Sequence, residues 1–344
     1  MAVTKGMLPS QQAADPVVAA ESLRKTFRDF WGRPRVHAVS DLTIEVRRGE
    51  VFGLLGPNGS GKSTTLKMVL GLLHPTRGRL TVLGRSPREV RTKNRVGYLP
   101  EESYCYPYLT SEETLDFYGR LFDLDRRERR ERIEQLLEMI GLKHARRRPV
   151  GQFSKGMARR IGLAQALIND PDLVVLDEPT AGLDPLGCRQ VKDLIRKLAR
   201  RGKTVLLSSH LLADVEDICD RICILYNGRV QALGAIRDLL EERHRCRVTF
   251  PEVPPEVMKR ILDALRAALG EEPEVAHPRR NLEQFFLDVI ARAREGVSVD
   301  YGARPAQGVA AYLSTPAPPA SDEYLARLVP GSAAPGERRD RTDA

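Results

Sequence analysis

The chain has 344 residues, 29% charged and 42% hydrophobic, with a formal net charge of +9. That is an ordinary globular balance, with room for one large domain and a smaller one. No apolar run approaches the roughly 18–20 residues of a membrane span, the N-terminal MAVTKGMLPSQQAADP has no apolar secretion core, and five cysteines without a CxxC argue against a disulfide framework or zinc finger.

Residues 1–16 are polar and are expected to be loose. From Val17 to about residue 240, strand-like and helix-like runs alternate, which predicts an α/β domain. The expected strands are VFGLL (51–55), LTVLG (80–84), RVGYL (95–99), LVVLD (173–177), TVLLSS (204–209) and ICILY (222–226). The continuous apolar runs LVVLD and TVLLSS suit buried parallel strands. Cys219 and Cys223, in DICDRICIL, are expected to pack as small hydrophobes.

GPNGSGKS (56–63) lies between the strand VFGLL and the periodic run TTLKMVLGLL, the strand–loop–helix context of a phosphate loop. Gly56, Gly59 and Gly61 let the backbone wrap a phosphate, with Pro57, Asn58 and Ser60 completing the turn. Lys62 brings positive charge to the β and γ phosphates, Ser63 offers a hydroxyl to Mg²⁺, and Thr64 adds a phosphate contact.

Between residues 109 and 170 the pattern turns wholly helical, which predicts a helical insert. Arginines cluster at 126–132 and 145–148, but Glu128, Glu131 and Glu134 interleave with them, as on a solvated helix face. Contact with nucleic acid or anionic lipid is the alternative; no nucleic-acid motif accompanies it. FSKGM (153–157) then opens a helix on which Met157, Ile161, Ala164 and Ile168 share a face. Ser154 and Gly156 at its start form a second anion-binding turn.

LVVLDEPTAGLD (173–184) is a buried strand ending in two carboxylates. Asp177 is suited to hold Mg²⁺ with Ser63, and Glu178 to polarise an attacking water. His210 follows the strand TVLLSS at the carboxyl edge of the sheet, where ligands gather, and could bond a γ-phosphate. Residues 241–300 read as a small α+β unit: CRVTF, a helix from Pro255 to Leu269, and NLEQFFLDVIARARE. Residues 301–344, rich in proline and alanine, are expected to be disordered, with SDEYLARLV (321–329) the exception as a short partner-binding helix.

Together GPNGSGKST, FSKGM, LVVLDEPTAGLD and His210, in this order, resemble the ATPase subunits of ABC transporters over residues 17 to about 240. The resemblance implies an α/β phosphate-loop NTPase fold of the ABC ATPase type with a helical subdomain, followed here by the α+β unit and the tail. It implies ATP and Mg²⁺, held between the phosphate loop of one domain and the signature turn of another in a head-to-tail dimer, either a homodimer or a pair with a second ABC ATPase. Lys62, Glu178 and His210 would then be the catalytic residues, and Ser154 and Gly156 would touch the γ-phosphate of the partner's ATP. Glu101, in GYLPEES, stands where the family usually has a Mg²⁺-sensing glutamine; a carboxylate can bind the metal but cannot donate a hydrogen bond. Asp184 matches the residue linking the two sites. Phe27, in LRKTF, matches the aromatic that stacks on adenine, with Phe30 and Trp31 as competitors in the apparent insertion RDFWGRPRV.

GYLPEE, FSKGM and NLEQFFL further resemble exporter ATPases of the drug, sodium or polysaccharide type, which work with a separate membrane permease. The expected function is ATP hydrolysis driving export, from the cytoplasmic face of the cell membrane, with no nucleic-acid partner. The alternatives are a nutrient importer's ATPase, a non-transport ABC ATPase, and an ATP-sensing regulatory module. SYCYPYLT, with Tyr104, Tyr106 and Tyr108, would either dock the permease or simply pack against the insert.

Overall fold

The computed structural model describes residues 16–102, 105–241, 253–269 and 310–314, and the statements below concern these. The chain opens with a hairpin of β1 (Val18–Arg28) and β2 (Pro34–Val46), then enters β3 (Val51–Leu55), which leads directly into α1 (Lys62–Val69). Next come β4 (Arg77–Val82), the short α2 (Val90–Lys93) and β5 (Val96–Leu99). The helical insert holds α3 (Ser111–Leu121), α4 (Arg126–Met139) and α5 (Lys155–Leu167). The chain returns through β6 (Leu173–Asp177), α6 (Pro185–Arg200), β7 (Thr204–Ser209), α7 (Leu212–Ile218), β8 (Arg221–Tyr226), β9 (Arg229–Ala235) and α8 (Ile236–Leu240). A further helix, α9 (Pro255–Leu269), occupies the expected place, whereas CRVTF, NLEQFFL and SDEYLARLV lie outside the described residues.

The strands form two sheets. One is antiparallel, in the order β2-β1-β4; the other runs β5-β6-β7-β3-β8-β9, parallel except for β9. LTVLG, expected within the α/β pattern, therefore contributes to the separate antiparallel sheet as β4. In β2 Leu42, Ile44 and Val46 are buried while Asp41, Thr43 and Glu45 are exposed, the period-2 pattern of a sheet with one face in the core. In β3, β6 and β7 every residue is buried, as both faces of a central parallel strand must be.

The parallel sheet divides the core in two. Val174, Leu176, Val205 and Leu207 pack on one side with Ile161 and Ala164 of α5 and Ile195 and Leu198 of α6. Phe52, Leu54, Val175 and Leu206 face the other way, toward Leu66 and Met68 of α1 and Leu42 and Ile44 of β2. Cys219 and Cys223 are buried packing residues, and burial pushes the Cys223 thiol up to about 12.

The register fixes where chemistry can occur. Leu55 lies opposite Ser209, and Asp177 opposite Ser208. The carboxyl ends of β3, β6 and β7 therefore share one edge, and the segments leaving them meet there.

Ion pairs tie the helical insert together. Arg146 grips Glu112 at 2.6 and 2.5 Å and Glu134 at 2.7 Å, while Arg127–Glu131 and Arg132–Glu128 pair along α4. The cluster at 126–132 thus interleaves charge along α4, while Arg146, in the turn after α4, bridges α3 and α4. Within the segment expected to be disordered, residues 310–314 instead form a packed turn. Leu313 is fully buried, Tyr312 Oη donates to Leu167 O at 3.0 Å, and Arg201 Nη1 donates to Ala310 O at 2.8 Å. Arg132 of α4 lies over the Tyr312 ring at 4.6 Å. The turn was illegible because AAYLS is too short for a periodic pattern, and its burial comes from partners more than a hundred residues away.

Candidate functional site

The loop between β3 and α1 is shaped by glycine. Gly56 has φ 150° and Gly61 φ 105°. A Cβ would fall 2.2 Å from Leu225 O at Gly56 and 2.4 Å from Ala38 O at Gly61, so neither position admits a side chain. α1 starts without a side-chain cap, whereas Thr110, Asp125, Ser154 and Asp184 cap α3, α4, α5 and α6. The N–H groups of its first turn, at Lys62, Ser63 and Thr64, are left for a ligand. Lys62 is buried, with Nζ 2.7 Å from Gly56 O, 3.3 Å from Pro57 O and 3.9 Å from Glu178 Oε1. The Ser60 hydroxyl is buried without a hydrogen-bond partner. Unclaimed backbone donors, an ammonium and an unsatisfied hydroxyl fit a polyphosphate.

The acidic edge stands beside this loop. Asp177, at the end of β6, is buried and accepts from Ser208 Oγ at 2.5 Å. Glu178 is buried at 5% exposure and takes φ 50°, a left-handed backbone that costs a non-glycine residue about 1–2 kcal/mol. Its N–H donates to Ser208 O and Oγ, both at 3.2 Å. Glu178 Oε2 meets His210 Nδ1 at 2.8 Å and the His210 N–H at 3.4 Å. With Glu178 ionised, Nδ1 donates and the ring's Nε2 stays available. His210 is therefore fixed by Glu178, a pairing that sequence order does not reveal. Burial first, and then the charge of Asp177, push the nearby Tyr98 phenol up to about 12.

Lys62, Glu178 and His210 thus converge, and Asp177 joins them through Ser208. Among the described residues no group of three or more His, Cys, Asp and Glu side chains could enclose a metal. A Mg²⁺ ion here would rest on few protein oxygens, with Ser63 and Asp177 the donors at hand and phosphate and water completing its shell.

The turn at FSKGM, expected to bind a second anion, opens α5. Ser154 caps α5, its Oγ accepting from Met157 N at 3.3 Å. A hydroxyl that accepts at a cap still has its proton to donate. A Cβ on Gly156 would meet Leu183 at 3.6 Å, so this turn borders the segment before Asp184. Asp184 in turn caps α6 through Gly187 N at 2.7 Å.

Arg159, on α5, was not singled out by sequence reasoning. It is 5% exposed, and its five N–H groups serve five backbone carbonyls. Nε reaches Pro179 O at 3.3 Å; Nη1 reaches Pro100 O and Glu101 O, the latter at 2.7 Å; Nη2 reaches Asp177 O at 2.5 Å and Glu178 O at 2.6 Å. Burial pulls its pKa down, opposed by the charges of Asp177, Glu101 and Glu178. The available signal was weak: an arginine on the apolar side of a helix is rarely there without partners. Glu101 meets this hub through its carbonyl while the residue itself is exposed.

Phe27 pairs with Val36 across the hairpin and is 39% exposed, with Lys25 Nζ 5.2 Å from its ring centre. Val36 is two residues from Ala38, whose carbonyl abuts Gly61. Phe27 is thus about 7 Å along the strand from the phosphate loop, by strand rise. Phe30 and Trp31 lie further out, in the hairpin turn at 95% and 77% exposure.

A phosphate loop on a parallel sheet, with a buried lysine and an acidic strand end at one edge, defines a nucleotide-binding ATPase. A family model for the ABC transporter matches residues 39–181. An uncharacterized ABC transporter ATP-binding protein of Synechocystis is 44% identical over 76% of this chain and 73% of that protein. The Nod factor export ATP-binding protein I of Ralstonia nicotianae is 40% identical over 74% of this chain and 76% of its own. A dimeric ATP-binding cassette solved with ADP and Pi in a post-hydrolysis state superposes with a TM-score of 0.59 at 26% identity, covering 64% of this chain and 99% of that one. The chain belongs to the ATP-binding proteins of ABC transporters, and it is an ATP-hydrolysing subunit.

Proposed function

We propose that this ATPase closes as a dimer on two Mg²⁺-ATP molecules and drives export through a separate membrane permease, from the cytoplasmic face of the cell membrane. The observation that carries the hydrolytic part is the convergence of Lys62, Glu178 and His210 at one sheet edge. Glu178, ionised, takes the proton of the attacking water. His210 keeps that carboxylate oriented and turns Nε2 toward the terminal phosphate. Lys62 and the first-turn N–H groups of α1 hold the phosphates. Ser63 and Asp177 would hold Mg²⁺, with Glu101 beside them, and the ion would supply neutralisation of phosphate charge. Phe27 offers its exposed ring to adenine. By the family resemblance, Ser154 and Gly156 serve the ATP of the second copy.

Export is supported by the relative whose name assigns it to Nod factor export. Among the described residues no helix is long and apolar enough to cross a membrane, so the transport path would belong to another subunit. A surface for that subunit is available: Tyr106 stacks with Tyr108 at 5.9 Å and Phe117 at 5.7 Å, and all three are exposed. Sequence-adjacent Tyr104 lies outside the described residues.

Glu178→Gln tests the assignment. It keeps the shape and the His210 contact but cannot accept a proton, so hydrolysis should fall by about 10²-fold or more with ATP binding intact. A parental rate would remove Glu178 from the role of base.

A further inference from the structure

The turn at the end of the β1–β2 hairpin is not used by the nucleotide site, yet it is carefully built. Asp29 N–H donates to Arg33 O at 2.9 Å, and Gly32 N–H to Asp29 O at 3.0 Å. Asp29 Oδ1 accepts from the N–H groups of Trp31 at 3.0 Å and Arg33 at 2.8 Å. Arg28 Nη1 closes the turn on Gly32 O at 3.1 Å. Gly32, at φ 77°, supplies the left-handed step. The turn's carboxylate is thereby committed to internal bonds.

What this framework holds outward is apolar. Phe30 and Trp31 pack edge to face, 5.6 Å apart, and are 95% and 77% exposed. Single exposed apolar side chains are ordinary. Two adjacent aromatics on an ordered turn are a presented surface. The charge beside them is mostly positive: Arg28, Arg33 and Arg35 flank the pair in sequence against the single carboxylate of Asp29. An open groove of about 1140 Å³ runs along the same hairpin, lined in part by Arg24, Arg28, Arg77 and Arg229. Its acidic lining residue, Asp41, is already paired to Arg24 at 3.7 Å. Arg28 belongs to both turn and groove.

We propose that this hairpin is a direct membrane contact, with Phe30 and Trp31 seated at the headgroup–acyl boundary of an anionic bilayer and the arginines on lipid phosphates. Amphipathic aromatic rings settle at that depth, and basic side chains beside them are drawn to anionic headgroups. Surplus arginine, with the Asp29 and Asp41 carboxylates engaged within the hairpin, favours an anionic lipid surface over an apolar protein groove. The tip also lies beyond Phe27, outside the stretch of hairpin that abuts the phosphate loop. The contact would add lipid affinity to whatever a permease provides, and it does not depend on the assignment of the ATPase residues.

Trp31 is the sole tryptophan of the chain, so its fluorescence reports this turn alone in the full-length protein. Vesicles containing phosphatidylglycerol should shift its emission to the blue, and lipids brominated on the acyl chain should quench it. The response should weaken with salt and be much smaller with pure phosphatidylcholine. Reversing two charges together, Arg33→Glu with Arg35→Glu, should weaken vesicle partitioning by at least about tenfold while basal ATP hydrolysis is kept. The proposal is overturned if anionic vesicles bind the protein without moving Trp31 emission, or if phosphatidylcholine acts equally. It is also overturned if the emission moves with Mg²⁺-ATP alone and not with vesicles, which would make the tip a nucleotide-stacking element.

Discussion

Arg159→Lys should uncouple catalysis from nucleotide binding. The native guanidinium donates five hydrogen bonds to the carbonyls of Pro100, Glu101, Asp177, Glu178 and Pro179. Lysine has three N–H donors on one atom, so at least two buried carbonyls lose their partner. Each unsatisfied acceptor costs about 1–3 kcal/mol, and Glu178 O keeps its bond from Ala181 N, so one or two unsatisfied carbonyls give about 1–6 kcal/mol before water or local movement recovers part of it. Some of that loss falls beside Glu178, at the Asp177 and Pro179 carbonyls, while Glu178 O keeps only its bond from Ala181 N at 3.1 Å and its backbone stays at φ 50° with less support. A shift of the base by about 1 Å is worth about 10²-fold in rate. Lys62 and the phosphate loop receive no bond from Arg159, so the KM for ATP should change little. Steady-state kinetics on protein shown folded by circular dichroism, with a melt recorded in parallel, separates the two effects. For Arg159→Ala, millimolar guanidinium should restore part of kcat by refilling the five-carbonyl site. A lowered melting temperature with parental kcat, or a loss confined to KM, would refute the reasoning and leave Arg159 a purely structural residue.

Ser154→Arg should abolish hydrolysis by blocking the second copy's phosphate while nucleotide binding to the monomer survives; loss of monomer binding would place FSKGM in the local site instead. Tyr312→Ala removes a partly buried ring, its bond to Leu167 O and its stack with Arg132. It should cost about 2 kcal/mol, or roughly 4–8 °C of melting temperature. An unchanged melt would mean that the turn at residues 310–314 contributes nothing to holding α4 and α5 on the core.

What could be read from sequence was what is encoded locally. The phosphate loop needs glycine at fixed offsets, and GPNGSGKS provides it between a strand and a helix. β6 and β7 announce themselves as continuous apolar runs ending in Asp177 and preceding His210. The antiparallel sheet was not foreseen, because β1 and β2 are half-exposed and their register shifts between Ala20 and Arg28. Irregular pairing of that kind breaks the alternation on which strand recognition depends. The Glu178–His210 bond and the Arg159 hub were hidden for another reason. Both join residues that the sheet register brings together, and one uses backbone carbonyls, which every residue has and no composition betrays.

The two turns proposed to bind anions differ in construction, and the difference suits them to different tasks. α1 begins with no side-chain cap, and a buried lysine lies over its loop. Among the described residues the lysine ammonium meets only loop carbonyls and one carboxylate 3.9 Å away, which suits the loop to a polyphosphate. α5 is already capped by Ser154, through a bond of 3.3 Å, and offers an anion only the remaining hydroxyl proton and the first-turn N–H groups. On the proposed function, the first turn would hold nucleotide alone and the second would add to a hold made elsewhere. Affinity should therefore follow α1 and be measurable in one copy, whereas turnover should follow α5 and require two. Substitutions in the loop at residues 56–63 should then move binding, and those at 154–156 should move kcat and its dependence on protein concentration.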